Sequence, residues 1–196
     1  MLWRWQAFVR WGDELRSTAL VVTRLIAPGN GESKDTHKTP WFKRIWGDFD
    51  HSISDLVIDP FARNCRLGTH RNDLNPETQA EYNLDCLEFV KLFDKDKFDG
   101  CIFDPPFSER MAKDLYDEYG SRNLYCTHQQ MIARSFKELE RVIKPGGWLL
   151  KFGYNSSRPT PAFELDKIWI INKYGFRNDT IVTLWRHSQH SLDIRE

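Results

Sequence analysis

The sequence lacks three features that would place it in a narrow class: a net charge, paired cysteines and a long apolar run. Its 28 basic and 28 acidic residues cancel, so no overall basic field attracts nucleic acid, although a local patch could. The four cysteines are scattered, which predicts neither a disulfide framework nor a zinc knuckle and is typical of a reducing, cytoplasmic compartment. No run is apolar enough to span a membrane, and the N-terminus lacks the apolar core of a signal peptide.

The length of 196 residues and the apolar share of 40% predict one globular domain with at most a small appendage. We place a boundary at residue 50, between an N-terminal arm (residues 1–50) and a main domain (residues 51–196). Apolar residues of the arm fall close to helical spacing, which predicts one or two amphipathic helices ending at Pro28 and Gly29. The aromatic and basic stretch 41–46 is consistent with a helix packed on a sheet, with a nucleic-acid contact, or with a homodimer or partner-subunit contact.

Residues 101–107 combine a short apolar run with an acid, two prolines and an aromatic ring. Pro105 and Pro106 cannot donate to a strand ladder, so the strand must end at Asp104, and this end of a strand is where open α/β sheets bind ligands. The Asp104 carboxylate and the Pro105 carbonyl can accept hydrogen bonds from an exocyclic amine, while Phe107 can stack on its ring. The alternative interpretation is a strand-ending turn with a core phenylalanine.

The run Asp104, Pro105, Pro106 and Phe107 resembles the Asp-Pro-Pro-Phe/Tyr motif of the amino-methyltransferases, which methylate adenine N6 or cytosine N4 with S-adenosylmethionine. The resemblance implies that these four residues are catalytic without a metal, that S-adenosylmethionine is the cofactor, and that the partner is a nucleic acid, DNA more than RNA. It also implies a class I (Rossmann-like) α/β methyltransferase fold. We therefore expect a mostly parallel seven-stranded sheet with a C-terminal antiparallel hairpin formed by residues 167–172 and 180–186.

A second segment with the same resemblance is the run Asp59, Pro60, Phe61 and Ala62, which follows the apolar residues of a predicted strand. In the family this turn wraps the methionine end of the cofactor and continues into a glycine pair. Here Arg63 and Asn64 stand in place of the glycines, although glycine lets a backbone approach a ligand closely. The Asn64 and Arg63 side chains could supply hydrogen bonds that backbone amides supply in the family.

Two further acids follow strand-like stretches. The resemblance implies that Asp73 accepts hydrogen bonds from the cofactor's ribose and Leu74 packs on its adenine, with Asn75 beside them, whereas residue type alone also allows Asn75 to cap a turn into a helix. Asp85 and Cys86 resemble the element that contacts the adenine amine, and Asp85 alone would be a helix N-cap. Asp73 arrives so soon after residue 62 that little room remains for the usual crossover helix.

The four signals stand in the chain order that one sheet needs to build one pocket, which strengthens each of them. A helix is predicted over residues 129–143 and a strand over 148–153, after which residues 154–156 are a pocket-wall candidate. Residues 108–119 predict either a solvated helix or a lid. We therefore expect a methyltransferase acting on adenine N6 in DNA. The alternatives are an RNA or protein-amide methyltransferase of the same fold, an inactive cofactor-binding protein, and a purely structural partner.

Overall fold

The computed structural model describes residues 2–11, 14–27, 35–116, 128–173 and 178–188. The strands are β1 (Leu2–Trp11), β2 (Glu14–Ile26), β3 (Val57–Asp59), β4 (His70–Arg71), β5 (Phe98–Phe103), β6 (Ile143–Gly153), β7 (Phe163–Asn172) and β8 (Thr180–His187). The helices are a short 3-10 helix (Thr36–Lys38), α1 (Pro40–Trp46), α2 (Cys86–Lys91), α3 (Glu109–Tyr116) and α4 (His128–Val142). Among the described residues, no helix combines the length and the apolar character needed to cross a membrane.

The strands form one sheet in the order β1-β2-β7-β8-β6-β5-β3-β4. Strands β6, β5, β3 and β4 run parallel, whereas β8 is antiparallel to both of its neighbours, β6 and β7. With helices on both faces, this is the class I, Rossmann-like methyltransferase fold, and the predicted antiparallel hairpin is confirmed. A parallel bridge between Asn72 and Tyr82 follows β4 and takes the place of a full strand there. The predicted hairpin loop lies mostly outside the described residues.

Strand β5 separates two apolar cores because its side chains alternate between the faces of the sheet. Cys101 and Phe103 pack into the core beneath α2 and α4, whereas Ile102 packs into the core beneath α1. Burial on both faces explains why this strand reads as a nearly continuous apolar run. The strand ends at Phe103, so Asp104 stands at the carboxyl edge of the sheet, as predicted.

The structure corrects the prediction for the N-terminal arm. The predicted amphipathic helices are wrong, because strands β1 and β2 form a β-hairpin in their place. Strand β2 then pairs in parallel with β7, from Val21 opposite Lys167 to Ile26 opposite Asn172. The physical reason is local composition, since the β-branched and aromatic residues of this stretch favour extended backbone over helix. Residues 41–46 lie in helix α1, as one of the interpretations expected, and Thr39 is the N-cap of this helix ahead of Pro40. The predicted breaker at residues 28–29 lies outside the described residues.

The connection between β3 and β4 contains no helix, as the short spacing predicts. Residues 60–69 instead turn back directly, and Gly68 makes this possible because a Cβ there would lie 2.8 Å from the Cβ of Asp59. The predicted helix over 129–143 is confirmed as α4, and the predicted strand over 148–153 is confirmed within β6. Within the segment 108–119, predicted to be a helix or a lid, the structure shows helix α3. Residues 117–119 of the segment lie outside the described residues.

Gly100 gives a test of this packing. An added Cβ at Gly100 would lie 2.0 Å from Cε2 of Trp148, which sits opposite it on β6. We expect Gly100→Ala to lower the free energy of unfolding by about 3 kcal/mol, since the buried indole must move. The measurement is urea unfolding. Gly153→Ala is the matched control, because the nearest atom to its added Cβ is 3.9 Å away. Equal losses in both variants would contradict the packing described.

Candidate functional site

A cavity of about 530 Å³ lies at the carboxyl edge of the parallel strands. Its walls come from the turn after β3, the turn after β5, helix α3, and residues 35–42 of the arm, together with the adjoining ends of β6, β7 and β8. Strand alternation places Asp59, Asp104 and Thr180 on the same face of the sheet, because each lies two residues from a side chain in the core beneath α1: Val57, Ile102 and Val182.

Asp104 follows the last residue of β5 and faces this cavity, partly exposed. Burial raises the pKa of its carboxyl from 3.8 to about 6, against the lowering effects of a hydrogen bond from the Thr36 side chain and of the nearby cations Arg63 and Lys173. The carboxyl group therefore ionises in the range where a small change of surroundings decides its charge, as in sites that handle protons or developing charge. It points into an opening of the molecule and not into the protein interior.

The residues after Asp104 complete one wall of the cavity. Pro105 and Pro106 are buried and Phe107 is half-buried, and all three line it. The Phe107 ring meets Tyr154 edge to face, with ring centroids 5.0 Å apart. Tyr154 is 40% exposed and contacts the cavity wall through Phe107, whereas none of the predicted wall residues 154–156 lines the cavity itself. The structure thus places the turn at Asp104 on the cavity, and its catalytic role stays a prediction.

The turn after β3 supplies the opposite wall. Asp59 is only 1% exposed, and its Oδ1 accepts a hydrogen bond from the backbone N–H of Phe61 at 3.2 Å. Its Oδ2 has no partner among the described residues. Burial, reinforced by the charges of Asp104 and Asp73, holds the pKa of Asp59 well above its usual range. Phe61 and Ala62 line the cavity with Asp59.

Arg63 stands where the resembling family has a glycine, and its backbone adopts a left-handed conformation with φ of 48°. That conformation is costly for a residue with a side chain. The backbone N–H of Arg63 donates to Asp73 at 3.1 Å, which helps to hold the turn in place. Arg63 lines the cavity, and its positive charge acts to lower the pKa values of Asp35 and Asp104.

Asp73 lies behind the cavity wall, fully buried. Its Oδ1 accepts from the Asn75 N–H at 3.0 Å, and its Oδ2 accepts from the Arg63 N–H at 3.1 Å and from the Tyr116 hydroxyl at 3.3 Å. Both oxygens are therefore engaged in holding turns. Leu74 packs against the core beneath α2 and α4. Asn75 caps a turn by accepting from Glu77 N–H at 2.7 Å, and no helix follows it.

The remaining predicted cofactor residues do not line the cavity. Pro60 is buried under the turn, and Asn64 accepts a hydrogen bond from Gln79 N–H at 3.3 Å. Asp85 is the N-cap of α2, accepting from Leu87 N–H at 2.9 Å, as its residue type alone suggested. Cys86 is buried. The cofactor roles assigned to these residues stay predictions.

Sequence reasoning missed the residues that reach the site from distant segments. Thr36 and Lys173 act on Asp104 from opposite ends of the chain, and Thr180 lines the cavity at the start of β8. No local signal marks them, because their position depends on the order of strands in the sheet. Asn72 was missed as well, although a polar residue directly before Asp73 was a usable signal.

No protein-family model and no curated protein matches the sequence. Among solved structures, the fold is similar to the provisionally named methyltransferase YhhF from Escherichia coli, with 12% identity, 94% of this chain and 100% of that chain covered, and a TM-score of 0.50. Two further structures also match. An S-adenosylmethionine-dependent methyltransferase from Methanosarcina mazei has 14% identity, with 74% of this chain and 98% of that chain covered and a TM-score of 0.47. TrmN from Thermus thermophilus has 14% identity, with 67% of this chain and 43% of that chain covered and a TM-score of 0.47. The likeness to YhhF confirms the class I methyltransferase fold.

The raised pKa of Asp104 predicts an effect on stability. Because the folded protein binds the Asp104 proton more tightly than the unfolded chain, this group's contribution to stability falls as pH rises from about 3.8 to about 6. We expect Asp104→Asn to raise the free energy of unfolding by about 1–2 kcal/mol above pH 6, and the gain to disappear below pH 4.

Urea unfolding between pH 4 and 8 measures this difference. The control is Asp114→Asn, since Asp114 also lines the cavity but is 68% exposed and only 3.9 Å from Arg110 in a surface pair. An Asp104→Asn variant that is less stable than wild type at pH 7 would show that the carboxylate is a structural acceptor.

Proposed function

We propose that this protein is an S-adenosylmethionine-dependent methyltransferase acting on an exocyclic amine, namely N6 of adenine in DNA. One observation carries the proposal: the turn beginning at Asp104 and the turn beginning at Asp59 line the same cavity at the carboxyl edge of a class I sheet. That edge is where this architecture binds its ligands. The choice of adenine and of DNA rests on the resemblance of residues 104–107 to the amino-methyltransferase motif.

The cavity suits a cationic methyl donor. Four acidic side chains and two basic ones line it, and these are Asp35, Asp59, Asp104, Asp114, Arg63 and Lys173. S-adenosylmethionine carries an ammonium group and supplies a methyl group activated by its sulfonium. The unpaired Oδ2 of Asp59 is suited to accept a hydrogen bond from that ammonium, because a buried carboxylate oxygen without a partner is costly until a ligand supplies one.

The Asp104 turn can hold the acceptor amine. The Asp104 carboxylate and the Pro105 carbonyl present two acceptors on a backbone stiffened by two prolines, so an amino group bound there has both hydrogens directed aside. Phe107 can stack on the attached ring. Above about pH 6 the Asp104 carboxyl is ionised and stabilises the positive charge that develops on the nitrogen during transfer. Its partly buried position strengthens this effect.

A second candidate function follows from Arg63. Its side chain lines the cavity where a glycine would leave space, so a donor bound there would lie in a different position relative to Asp104, which favours a cofactor-binding protein without catalysis. An amine in RNA or in a protein amide would also fit the turn at Asp104, so transfer to these acceptors has to be measured beside transfer to DNA. Two experiments separate the enzyme from the binding protein.

The first experiment measures methyl transfer to DNA from S-adenosylmethionine labelled in its methyl group. We expect Asp104→Asn to lower the rate at least 100-fold while leaving donor affinity within about twofold, since the residue acts on the acceptor. The wild-type rate should fall about tenfold per pH unit below pH 6 as Asp104 gains its proton. Asp94→Asn is the control, because Asp94 is exposed and lies outside the cavity wall. Donor binding without transfer to DNA or RNA would favour the second candidate.

The second experiment measures donor binding by calorimetry at a series of pH values, in buffers of different ionisation enthalpy. Because burial raises the pKa of Asp59 and a bound ammonium would lower it, donor binding should release a proton in the pH range between the two pKa values. We expect this release in wild type, and its loss together with about tenfold weaker binding in Asp59→Asn. Asn64→Ala should bind normally, because Asn64 lies outside the cavity wall. Unchanged binding in Asp59→Asn would remove Asp59 from the donor site.

A further inference from the structure

The half of the cavity remote from Asp59 contains a second unpaired polar atom. Thr180 is the first residue of β8, paired with Ile171 of β7, and only 1% of it is exposed. It lines the cavity, and its Oγ1 has no hydrogen-bond partner in the part of the chain that the structure describes. A buried hydroxyl without a partner lowers stability, and valine would fill the same volume in a strand without that cost. The fold therefore does not account for the hydroxyl.

Three aromatic side chains line the same cavity as Thr180. Phe42 and Phe152 stack with ring centroids 5.9 Å apart and planes 18° apart, and Trp41 lies 6.5 Å from Phe152. Aromatic walls with one buried polar group are typical of sites that bind a heteroaromatic ring and fix its orientation.

The position of Thr180 relative to Asp104 suits one ring. In the sheet, β8 is separated from β5 by β6 alone, so the two backbones lie about 10 Å apart. Both side chains belong to the face beneath α1 and line one cavity. An amine bound at Asp104 would bring the ring atoms beside it toward Thr180.

We propose that Thr180 is a specificity-determining residue of an acceptor-ring subsite, whose hydroxyl donates a hydrogen bond to a ring nitrogen that flanks the exocyclic amine. In adenine these nitrogens are N1 and N7. The inference rests on the proposed function for the position of the amine. It adds the group that would distinguish an aminopurine from an analogue with carbon in place of the ring nitrogen, namely the Thr180 hydroxyl. A site that hydrogen-bonds a ring nitrogen rejects an analogue lacking it, because its own polar group is then left unpaired.

The experiment titrates the full chain with adenosine, 1-deazaadenosine and 7-deazaadenosine in a calorimeter. Saturating S-adenosylhomocysteine keeps the nucleosides out of the donor site. We expect wild type to bind one of the two analogues about tenfold more weakly than adenosine. Thr180→Val should bind adenosine about tenfold more weakly and no longer distinguish that analogue, whereas Thr180→Ser should keep the preference. Thermal unfolding should show Thr180→Val at least as stable as wild type.

Three results would overturn the subsite: no adenosine binding, equal binding of all three nucleosides by wild type, or a Thr180→Val variant that is clearly less stable. The proposed function fails separately, if S-adenosylhomocysteine itself does not bind. In that case adenosine is titrated alone, and the loss of discrimination in Thr180→Val still decides the role of the hydroxyl.

Discussion

The hydrogen bonds of Asn72 hold together the half of the sheet on which the site depends. Strand β3 has three residues and β4 has two, too few to fix their register alone. The Asn72 side chain donates to the carbonyls of Pro60 at 3.0 Å and Leu84 at 2.9 Å, and its oxygen accepts from Leu84 N–H at 2.9 Å. Its backbone bonds with Asp59 and Ala62. The buried side-chain amide of Asn72 thereby joins three turns, among them the turn after β3 that forms one wall of the cavity.

Three acids that end up near one another at this edge differ in how many partners they have. Asp73 has donors on both oxygens, Asp59 on one oxygen only, and Asp104 receives the Thr36 side chain at the border of the cavity. A carboxylate whose hydrogen bonds are complete stabilises the fold, whereas one that is buried and incomplete lowers stability until a ligand arrives. Both oxygens of Asp73 are thus engaged in the fold, whereas Asp59 keeps one oxygen without a partner among the described residues, and Asp104 borders the cavity.

The sequence could predict the turn at Asp104 and the fold because both depend on local chemistry. Two prolines end a strand after Asp104 in any context, and apolar runs at the spacing of parallel strands indicate the sheet. The sequence could not predict that Asp59, and not Asp73, keeps an unpaired oxygen at the cavity. Both acids follow a strand in the sequence, and only their tertiary hydrogen bonds distinguish them. Helical spacing in the arm misled for a similar reason, because β-branched residues at such spacing also suit a strand next to β7. Thr180 was unpredictable, since its distance from Asp104 depends on strand order.

Helix α1 of the arm helps to set the shape of the cavity, because Trp41 and Phe42 line it. Helix α1 is fixed to the domain by buried Phe42 and Ile45, and the Asp48 carboxylate after it accepts from Trp169 Nε1 at 2.9 Å. The wall that α1 contributes is therefore part of the packed core. A base in a duplex would have to leave its stack to enter, and unstacking costs free energy. With a formal net charge of zero, this chain has no overall field to offset that cost. In the proposed function, recognition of the acceptor would therefore draw on contacts to the ring, and this is the role proposed for the Thr180 hydroxyl.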